Sequence, residues 1–241
     1  MPSKRKNGEK MLRGIPVSQG VIRSRAVVLD RTRIDPAKWG ILESDPAGEE
    51  DRLQASLVET RRQILAVQER LREAMGIKEA QIFDAHLLVL EDPMLIEEAT
   101  RFIREDLVTA EFAFHEASEK YAEALSKVDD AYLSERAADI RDVAQRVLAD
   151  LMGQAPCTGL TDLTEPCVVV AHDLTPSDTA MMDPAMVLGF VTEVGSRTSH
   201  TAILARSLRI PAVLGLDKAI SELHTGESVL LDGFNGFVVI D

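Results

Sequence analysis

The sequence predicts an α/β domain that is interrupted by an all-α helical bundle. Apolar, strand-like runs lie near both ends of the chain, and a long stretch with helical periodicity lies between them. The composition changes abruptly where these regions meet. We predict a disordered tail over 1–11, the α/β domain over 12–47 and 153–241, and the bundle over 48–152.

The first part of the chain contains two predicted strands, over 12–20 and 21–29. Gly14 and Gly20 interrupt the apolar pattern, and Ala26-Val27-Val28-Leu29 makes the second strand strongly apolar. Both strands fit most simply into the sheet of the C-terminal part. On this interpretation the bundle is an insertion within the α/β domain.

The middle of the chain is helical. From 49 to 75, apolar or small residues recur at spacings of four and three, which predicts one long amphipathic helix ended by Gly76. Further helices are predicted over 80–90, from Pro93 to 103 with Asp92 as N-cap, from Thr109 as N-cap to 127, and from Ser134 as N-cap to Gly153. Sustained heptads are also typical of a coiled-coil dimer, but the short loops favour antiparallel packing within one chain.

After Gly153, predicted strands and helices alternate, which indicates an α/β arrangement. Asn235-Gly236 is a strong signal for a hairpin. The predicted elements are strands over 167–171, 187–194, 212–214, 229–232 and 237–240, a short helix over 177–182 and a longer helix that starts near His200 and ends before Pro211.

Composition excludes several functions. The formal net charge of −13 argues against unspecific binding of nucleic acid and suits a partner with a basic face, although solubility alone is the commoner reason for such a charge. Cys157 and Cys167 have no metal-ligand spacing, and no signal peptide or apolar run of membrane-spanning length is visible. We therefore expect a cytoplasmic protein without a metal site or a membrane segment.

The most informative stretch runs from Gly195 to Arg206 and reads GSRTSHTAILAR. Thr198 or Ser199 is suited to cap the helix that follows, so His200 lies at a helix N-terminus. Free N–H groups and the helix dipole stabilise an anion there and disfavour a protonated imidazole. His200 is therefore a candidate for a phosphorylatable histidine, although a histidine in this position is more commonly a structural cap.

The same stretch resembles the phosphohistidine signature of enzyme I of the phosphoenolpyruvate-dependent sugar phosphotransferase system. The resemblance implies an α/β phosphohistidine domain in which His200 carries the phosphoryl group on Nε2. Such a group needs hydrogen-bond donors for its oxygens, and the candidates are Arg197, Thr198 and Ser199 together with the backbone N–H groups of the turn. Ser196 replaces the second glycine of the family string. If that position requires a positive φ, serine costs about 1 kcal/mol.

A second string, DLTPSDTA over 173–180, follows a predicted strand and resembles another motif of the family. In the family, the threonine that matches Thr179 hydrogen-bonds the active histidine, and we carry that role over as an expectation. Without the resemblance, Thr175 or Ser177 is simply a helix cap.

Two further strings, IFDAHLLVLED over 82–92 and SERAADIRD over 134–142, resemble helices of the family on which the small phosphocarrier protein HPr docks. The docking candidates implied by the resemblance are Asp84, His86, Leu88, Asp92 and Arg136. From the residues alone, Leu87, Leu88 and Val89 cannot all face one core, so part of this run is exposed or contacts a partner. Packing between bundle helices is the competing explanation.

The resemblance implies phosphoryl transfer from phosphoenolpyruvate to HPr through phosphohistidine, in a fragment that exchanges phosphate with HPr only. It implies no cofactor in these residues, Mg²⁺ through a C-terminal domain of the full-length enzyme, a monomeric fragment and a dimeric whole enzyme. The bundle with its ERAAD string over 135–139 argues against one alternative, the swivelling domain of a pyruvate phosphate dikinase or phosphoenolpyruvate synthase. A subunit that feeds dihydroxyacetone kinase is harder to exclude. The third alternative is a non-catalytic adaptor, against which the presence of His200, Thr179 and Arg197 argues.

Overall fold

The computed structural model describes residues 10–29, 34–128, 130–154, 160, 163–197 and 199–240. It is a mixed α/β structure. The chain divides into two compact units, Met1–Arg31 together with Thr158–Asp241, and Thr32–Cys157. No helix among the described residues is both long enough and apolar enough to cross a membrane.

The elements follow one another in a strand, helix, strand sequence. The strands are β1 Lys10–Arg13, β2 Ile15–Ser18, β3 Val21–Leu29, β4 Cys167–Ala171, β5 Val187–Thr192, β6 Ala212–Leu214, β7 Ser228–Asp232 and β8 Phe237–Ile240. The helices are α1 Pro46–Met75, α2 Ile77–Ala80, α3 Ile82–Leu90, α4 Pro93–Glu105, α5 Ala110–Ser126, α6 Ala131–Leu151, α7 Pro176–Ala180, α8 His200–Leu208 and α9 Ala219–Glu222.

The strands of the described residues form one sheet in the order β1-β8-β7-β3-β4-β5-β6-β2. The central strands β3, β4, β5 and β6 are parallel neighbours, and the outer pairs are antiparallel. Every residue of β4 is buried, as expected for a parallel strand covered on both faces.

Alternating side chains of the sheet contribute to two separate cores. Val169 and Ala171 of β4 pack in a cluster with Ala202 and Ala205 of α8. Val168 and Val170 pack in the other cluster, which includes Ala219 of α9 and Leu223 at the end of that helix. Because strand side chains alternate between faces, α8 and α9 cover opposite sides of the sheet.

The second unit is formed by α1 to α6. Ser56 Oγ of α1 donates to the carbonyl of Val147 in α6 (3.2 Å) and Arg52 donates to that of Leu151 (3.4 Å), so the two helices run antiparallel. Its largest fully buried side chains include Leu53, Ile64, Leu71, Phe83, Ile103, Phe114 and Leu148.

Several sequence predictions are confirmed at the level of single elements. Strands 167–171, 212–214 and 237–240 have the predicted bounds. Gly76, with a φ of 112°, ends the long helix, and Asp92 caps α4 by accepting the N–H of Met94 (2.8 Å).

The N-terminal prediction needs two corrections. Lys10 and Met11 are paired with Ile240 and Val239 and do not belong to a disordered tail, whose remaining residues lie outside the described part of the chain. The strand predicted over 12–20 is two strands, because β1 pairs with β8 whereas β2 pairs with β6 at the other end of the strand order. Gly14 lies between them, and a Cβ on it would lie 2.7 Å from the carbonyl oxygen of Leu214, so a larger residue does not fit there.

The bundle needs corrections as well. The helix predicted over 80–90 is the short α2 followed by α3, with Gln81 between them. The last helix begins at Ala131, so Ser134 lies within it and is not its cap. The carboxylate of Asp130 accepts the N–H of Leu133 (3.1 Å) and provides the capping bond instead.

Candidate phosphohistidine site and docking face

The loop between β5 and α8 contains a glycine that the backbone requires. Gly195 has a φ of 122°, and a Cβ there would lie 3.1 Å from Leu214 Cδ1. Among the described non-glycine residues, positive φ occurs at Leu107, Arg209 and Lys218, and not at Ser196. Ser196 therefore causes no backbone strain of the kind considered from the sequence.

Ser199 organises the start of α8. It is the N-cap, and its Oγ accepts the N–H of Ala202 (3.3 Å) and donates to the carbonyl of Ser196 (2.9 Å). Of the two predicted caps, Ser199 is confirmed in this role, and Thr198 lies outside the described residues. No described residue accepts the backbone N–H of His200 or Thr201. These two donors are thus available to an anion at the positive end of the helix.

His200 is the first residue of α8 and is half-buried, and its ring makes no hydrogen bond to a described residue. The next residue fixes the helix in place, because Thr201 Oγ1 donates to the carbonyl of Leu174 (2.7 Å). The imidazole therefore lies on a fixed first helical turn with its nitrogens uncommitted, which suits a nucleophile.

The second motif lies next to this helix. Thr175 caps α7 in a capping box with Asp178, whose carboxylate accepts the N–H of Thr175 (2.9 Å). Thr179 is fully buried, and its Oγ1 donates to the carbonyl of Thr175 (2.7 Å). A hydroxyl has one proton to donate, and here it is donated to Thr175. While that bond is kept, Thr179 can bind a histidine only by accepting a hydrogen bond. The structure records no such bond to His200, and that contact stays a prediction.

Two arginines lie beside the first turn of α8. Arg197 is exposed, and Arg206 Nη1 donates to its carbonyl (3.2 Å). Neither guanidinium has a described carboxylate within 4.0 Å. Sequence reasoning assigned a role to Arg197 and missed Arg206, whose only sequence signal is a long basic side chain six residues after the histidine.

A carboxylate at the entrance of the loop was also missed. Glu193 accepts from the ring of His172 (2.8 Å) and from the N–H of Ile220 (2.9 Å). The bond with His172 is the main reason why the pKa of Glu193 is lowered, and the N–H of Ile220 adds to the effect. Ile220 belongs to α9, which covers the face of the sheet opposite α8. The bond between Ile220 and Glu193 therefore supports the loop from the other side of the sheet.

The docking candidates of the bundle have different exposures. Leu88 is 73% exposed, and Asp84 and Asp92 are exposed as well. Asp84 accepts a bond from Gln68 (2.7 Å), and the side chain of Arg136, one-third exposed, donates to Asp139 (3.0 Å). These four side chains are accessible to a partner. The expectation that part of the run 87–89 is exposed is confirmed at Leu88.

His86 does not fit the docking prediction. It is 1% exposed, and its Nε2 and Nδ1 face Asp139 Oδ1 (3.3 Å) and Asp142 Oδ2 (3.9 Å). Phe83 packs edge-on against the ring, with the ring centroids 5.0 Å apart. The ring is therefore an interior contact between α3 and α6, and a docked partner would not reach it.

The described residues contain no group of three or more His, Cys, Asp or Glu side chains that is arranged to hold a metal ion. Cys167 is a free cysteine inside β4, where burial raises the pKa of its thiol. Cys157 lies outside the described part of the chain.

A capped helix with a histidine at its N-terminus packs against the sheet in one unit of the chain, and the other unit is helical. The chain belongs to the family of PEP-utilising enzymes. The family model "PEP-utilising enzyme, N-terminal" matches residues 13–136, and "PEP-utilising enzyme, mobile domain" matches residues 163–236.

Individual relatives define the group within this family more narrowly. Phosphoenolpyruvate-protein phosphotransferases of Enterococcus faecalis and Bacillus subtilis are each 40% identical to the chain, over 233 and 231 residues. The matches cover 96% and 95% of this chain and 40% of each relative, so the chain spans about two-fifths of their length. The predicted resemblance to enzyme I is thereby confirmed.

Solved structures are similar to the chain as well, among them two that match most of it. The first is the NMR solution structure of Enzyme I (nEIt), 41% identical with a TM-score of 0.74, covering 95% of this chain and 92% of that one. The second is the N-terminal domain of Enzyme 1 - Nitrogen, 28% identical with a TM-score of 0.65, covering 95% and 93%. The mixed α/β fold seen here is therefore that of the N-terminal region of enzyme I.

Proposed function

We propose that the chain is a phosphoryl relay, in which His200 of an α/β phosphohistidine domain exchanges a phosphoryl group with a histidine of the carrier HPr. The observation that carries the proposal is the position of His200 on a capped helical turn with two open N–H groups. Arg197 and Ser199 lie beside this turn, and Thr198 and Thr179 are included by family resemblance.

The step is an in-line displacement. The unprotonated ring nitrogen of His200 attacks phosphorus, an N–P bond forms at His200, and the N–P bond of the donor histidine breaks. The electron pair of the broken bond returns to the donor ring. Because the two nitrogens are similar leaving groups, little acid–base work is needed, and catalysis depends on positioning and on stabilising charge on the phosphoryl oxygens.

We place the docking face for HPr on the helical unit. On this proposal the unit is an all-α insertion that spans roughly 48–152. Leu88 provides an exposed apolar contact, and Asp84, Asp92 and Arg136 provide charges around it. The net charge of −13 favours association with a basic partner.

Use of phosphoenolpyruvate and Mg²⁺ is proposed for the remaining three-fifths of the relatives' length. On this proposal residues 1–241 behave as a cytoplasmic, monomeric fragment that exchanges phosphate with HPr and does not phosphorylate itself from phosphoenolpyruvate. Within a longer enzyme the same relay would start from phosphoenolpyruvate, and that enzyme would be a dimer.

The direct test is incubation of the chain with phosphorylated HPr, followed by intact-mass measurement at neutral pH and after mild acid. We expect a gain of one phosphoryl group that acid removes, and no gain with phosphoenolpyruvate and Mg²⁺ alone. Binding of HPr without any mass gain would contradict the relay and favour the adaptor alternative.

The docking face is tested by Leu88→Asp. We expect the affinity for HPr to fall at least tenfold in calorimetry, because a charge replaces an apolar side chain at the contact. Val58→Asp is the matched control, since Val58 is a similarly exposed apolar residue, 62% exposed, on α1. If the two variants bound HPr with equal affinity, Leu88 would not be part of the interface.

A further inference from the structure

Arg206 connects α8 to the loop that precedes it. The residue lies near the C-terminal end of the helix, yet its Nη1 donates to the carbonyl of Arg197, nine residues earlier (3.2 Å). Helical side chains tilt towards the helix N-terminus, so this long side chain runs back along the helix to its first turn. The bond holds Arg197 next to the turn that carries His200.

The arginines around this turn differ from many of those in the helical unit. Many arginines of the helical unit pair with carboxylates, among them Arg52, Arg61, Arg62, Arg72, Arg101, Arg104 and Arg141. Arg197 and Arg206, by contrast, are exposed and have no carboxylate within 4.0 Å among the described residues. In a chain of net charge −13, two uncompensated cations therefore lie at the positive end of α8.

We propose that Arg206 is a positioning residue for phosphotransfer at His200. By binding the carbonyl of Arg197 it keeps the loop against the helix, so that the Arg197 guanidinium and the open N–H groups of His200 and Thr201 converge on one phosphoryl group. Its own charge adds to the field that favours the phosphorylated state. This inference rests on the proposed function, because it concerns the same histidine.

The test compares Arg206→Met with Arg209→Asn. Arg209 is a suitable control because it is also exposed, has no described carboxylate partner and ends the same helix. Asparagine tolerates its left-handed conformation (φ 58°). Both variants lose one positive charge from α8, and only Arg206→Met loses the bond to the loop.

We expect the equilibrium constant for phosphorylation of the chain by phospho-HPr to fall about tenfold in Arg206→Met and less than twofold in Arg209→Asn. The affinity for unphosphorylated HPr and the unfolding temperature should not change, since Arg206 is exposed and lies outside the helical unit. Arg206→Lys should recover part of the loss, because an ammonium keeps the charge and one donor but not the planar fork.

A spectroscopic measurement separates this role from a merely structural one. The ³¹P resonance of the phosphohistidine, followed against pH, should show a higher phosphate pKa in Arg206→Met than in the unaltered chain, because nearby cations favour the dianion. If Arg206→Met does not fold, Arg206→Gln is measured in the same way.

The outcomes distinguish the two proposals. Equal equilibrium constants and equal phosphate pKa values for the unaltered chain and Arg206→Met would overturn the inference while the relay remains. A chain that gains no phosphoryl group from phospho-HPr would overturn the proposed function, and the role of Arg206 with it.

Discussion

Replacement of His200 by alanine is expected to abolish phosphorylation completely while the fold is retained. The imidazole would be the only acceptor of the phosphoryl group, so its removal leaves no residual route at this turn. Its removal should cost less than about 1 kcal/mol of stability, because the ring is half-buried and has no described hydrogen-bond partner. Intact mass after incubation with phospho-HPr and circular dichroism measure the two quantities.

His224→Ala is the control for this experiment. The side chain of His224 is 73% exposed, in the loop between α9 and β7, and phosphorylation should be unaffected by its loss. An acid-labile phosphoryl group on His200→Ala would show that another histidine accepts it. A loss of folding in His200→Ala would favour a purely structural role for this residue.

The parts of the fold that the sequence predicts well are those with local causes. Asp92-Pro93 starts a helix because the aspartate side chain accepts an N–H of the first turn and proline suits the first helical position. Both residues lie next to each other in the sequence, so the signal is local. Gly76 ends α1 because its positive φ is unfavourable for other residues. The buried strand β4 is visible as a short apolar run.

The parts of the fold that the sequence does not predict depend on contacts between residues that are distant along the chain. β1 pairs with β8 and β2 pairs with β6, and neither pairing has a local signal, since any apolar strand of the right length fits. The need for glycine at position 14 comes from the carbonyl oxygen of Leu214, which is two hundred residues away in sequence. Ser134 and Asp130 are both good caps, and sequence reasoning chose the wrong one.

For the site, sequence reasoning found the histidine and its loop but missed two side chains that hold the loop. Arg206 donates to the carbonyl of Arg197, and Glu193 binds His172 and Ile220, through bonds that only the folded chain shows. His86 was misplaced although a signal existed. Phe83, His86 and Leu90 occur at spacings of three and four and form the buried stripe of α3, whereas Leu88 lies off that stripe.

The buried position of His86 leads to the prediction with the largest effect on stability. His86→Leu keeps an apolar side chain in the site but removes the imidazole from the buried carboxylate of Asp139, 3.3 Å away. Among the described residues, Asp139 then keeps its bond to Arg136 and no other. Removing one partner from a buried charged group is strongly unfavourable, so we expect a loss of about 3–5 kcal/mol in the free energy of unfolding.

Urea unfolding followed by circular dichroism and by the fluorescence of Trp39 measures this loss, since the only tryptophan of the chain lies in the helical unit. His115→Leu is the matched control and should cost less than about 1 kcal/mol, because its partner Asp35, 3.6 Å away, has an exposed side chain. Adding Asp139→Asn to His86→Leu should recover part of the loss, because a neutral amide costs less to bury without the imidazole. If His86→Leu and His115→Leu were equally stable, the bonds of His86 would not hold α3 to α6. The residue at position 86 would then contribute to stability through apolar packing alone.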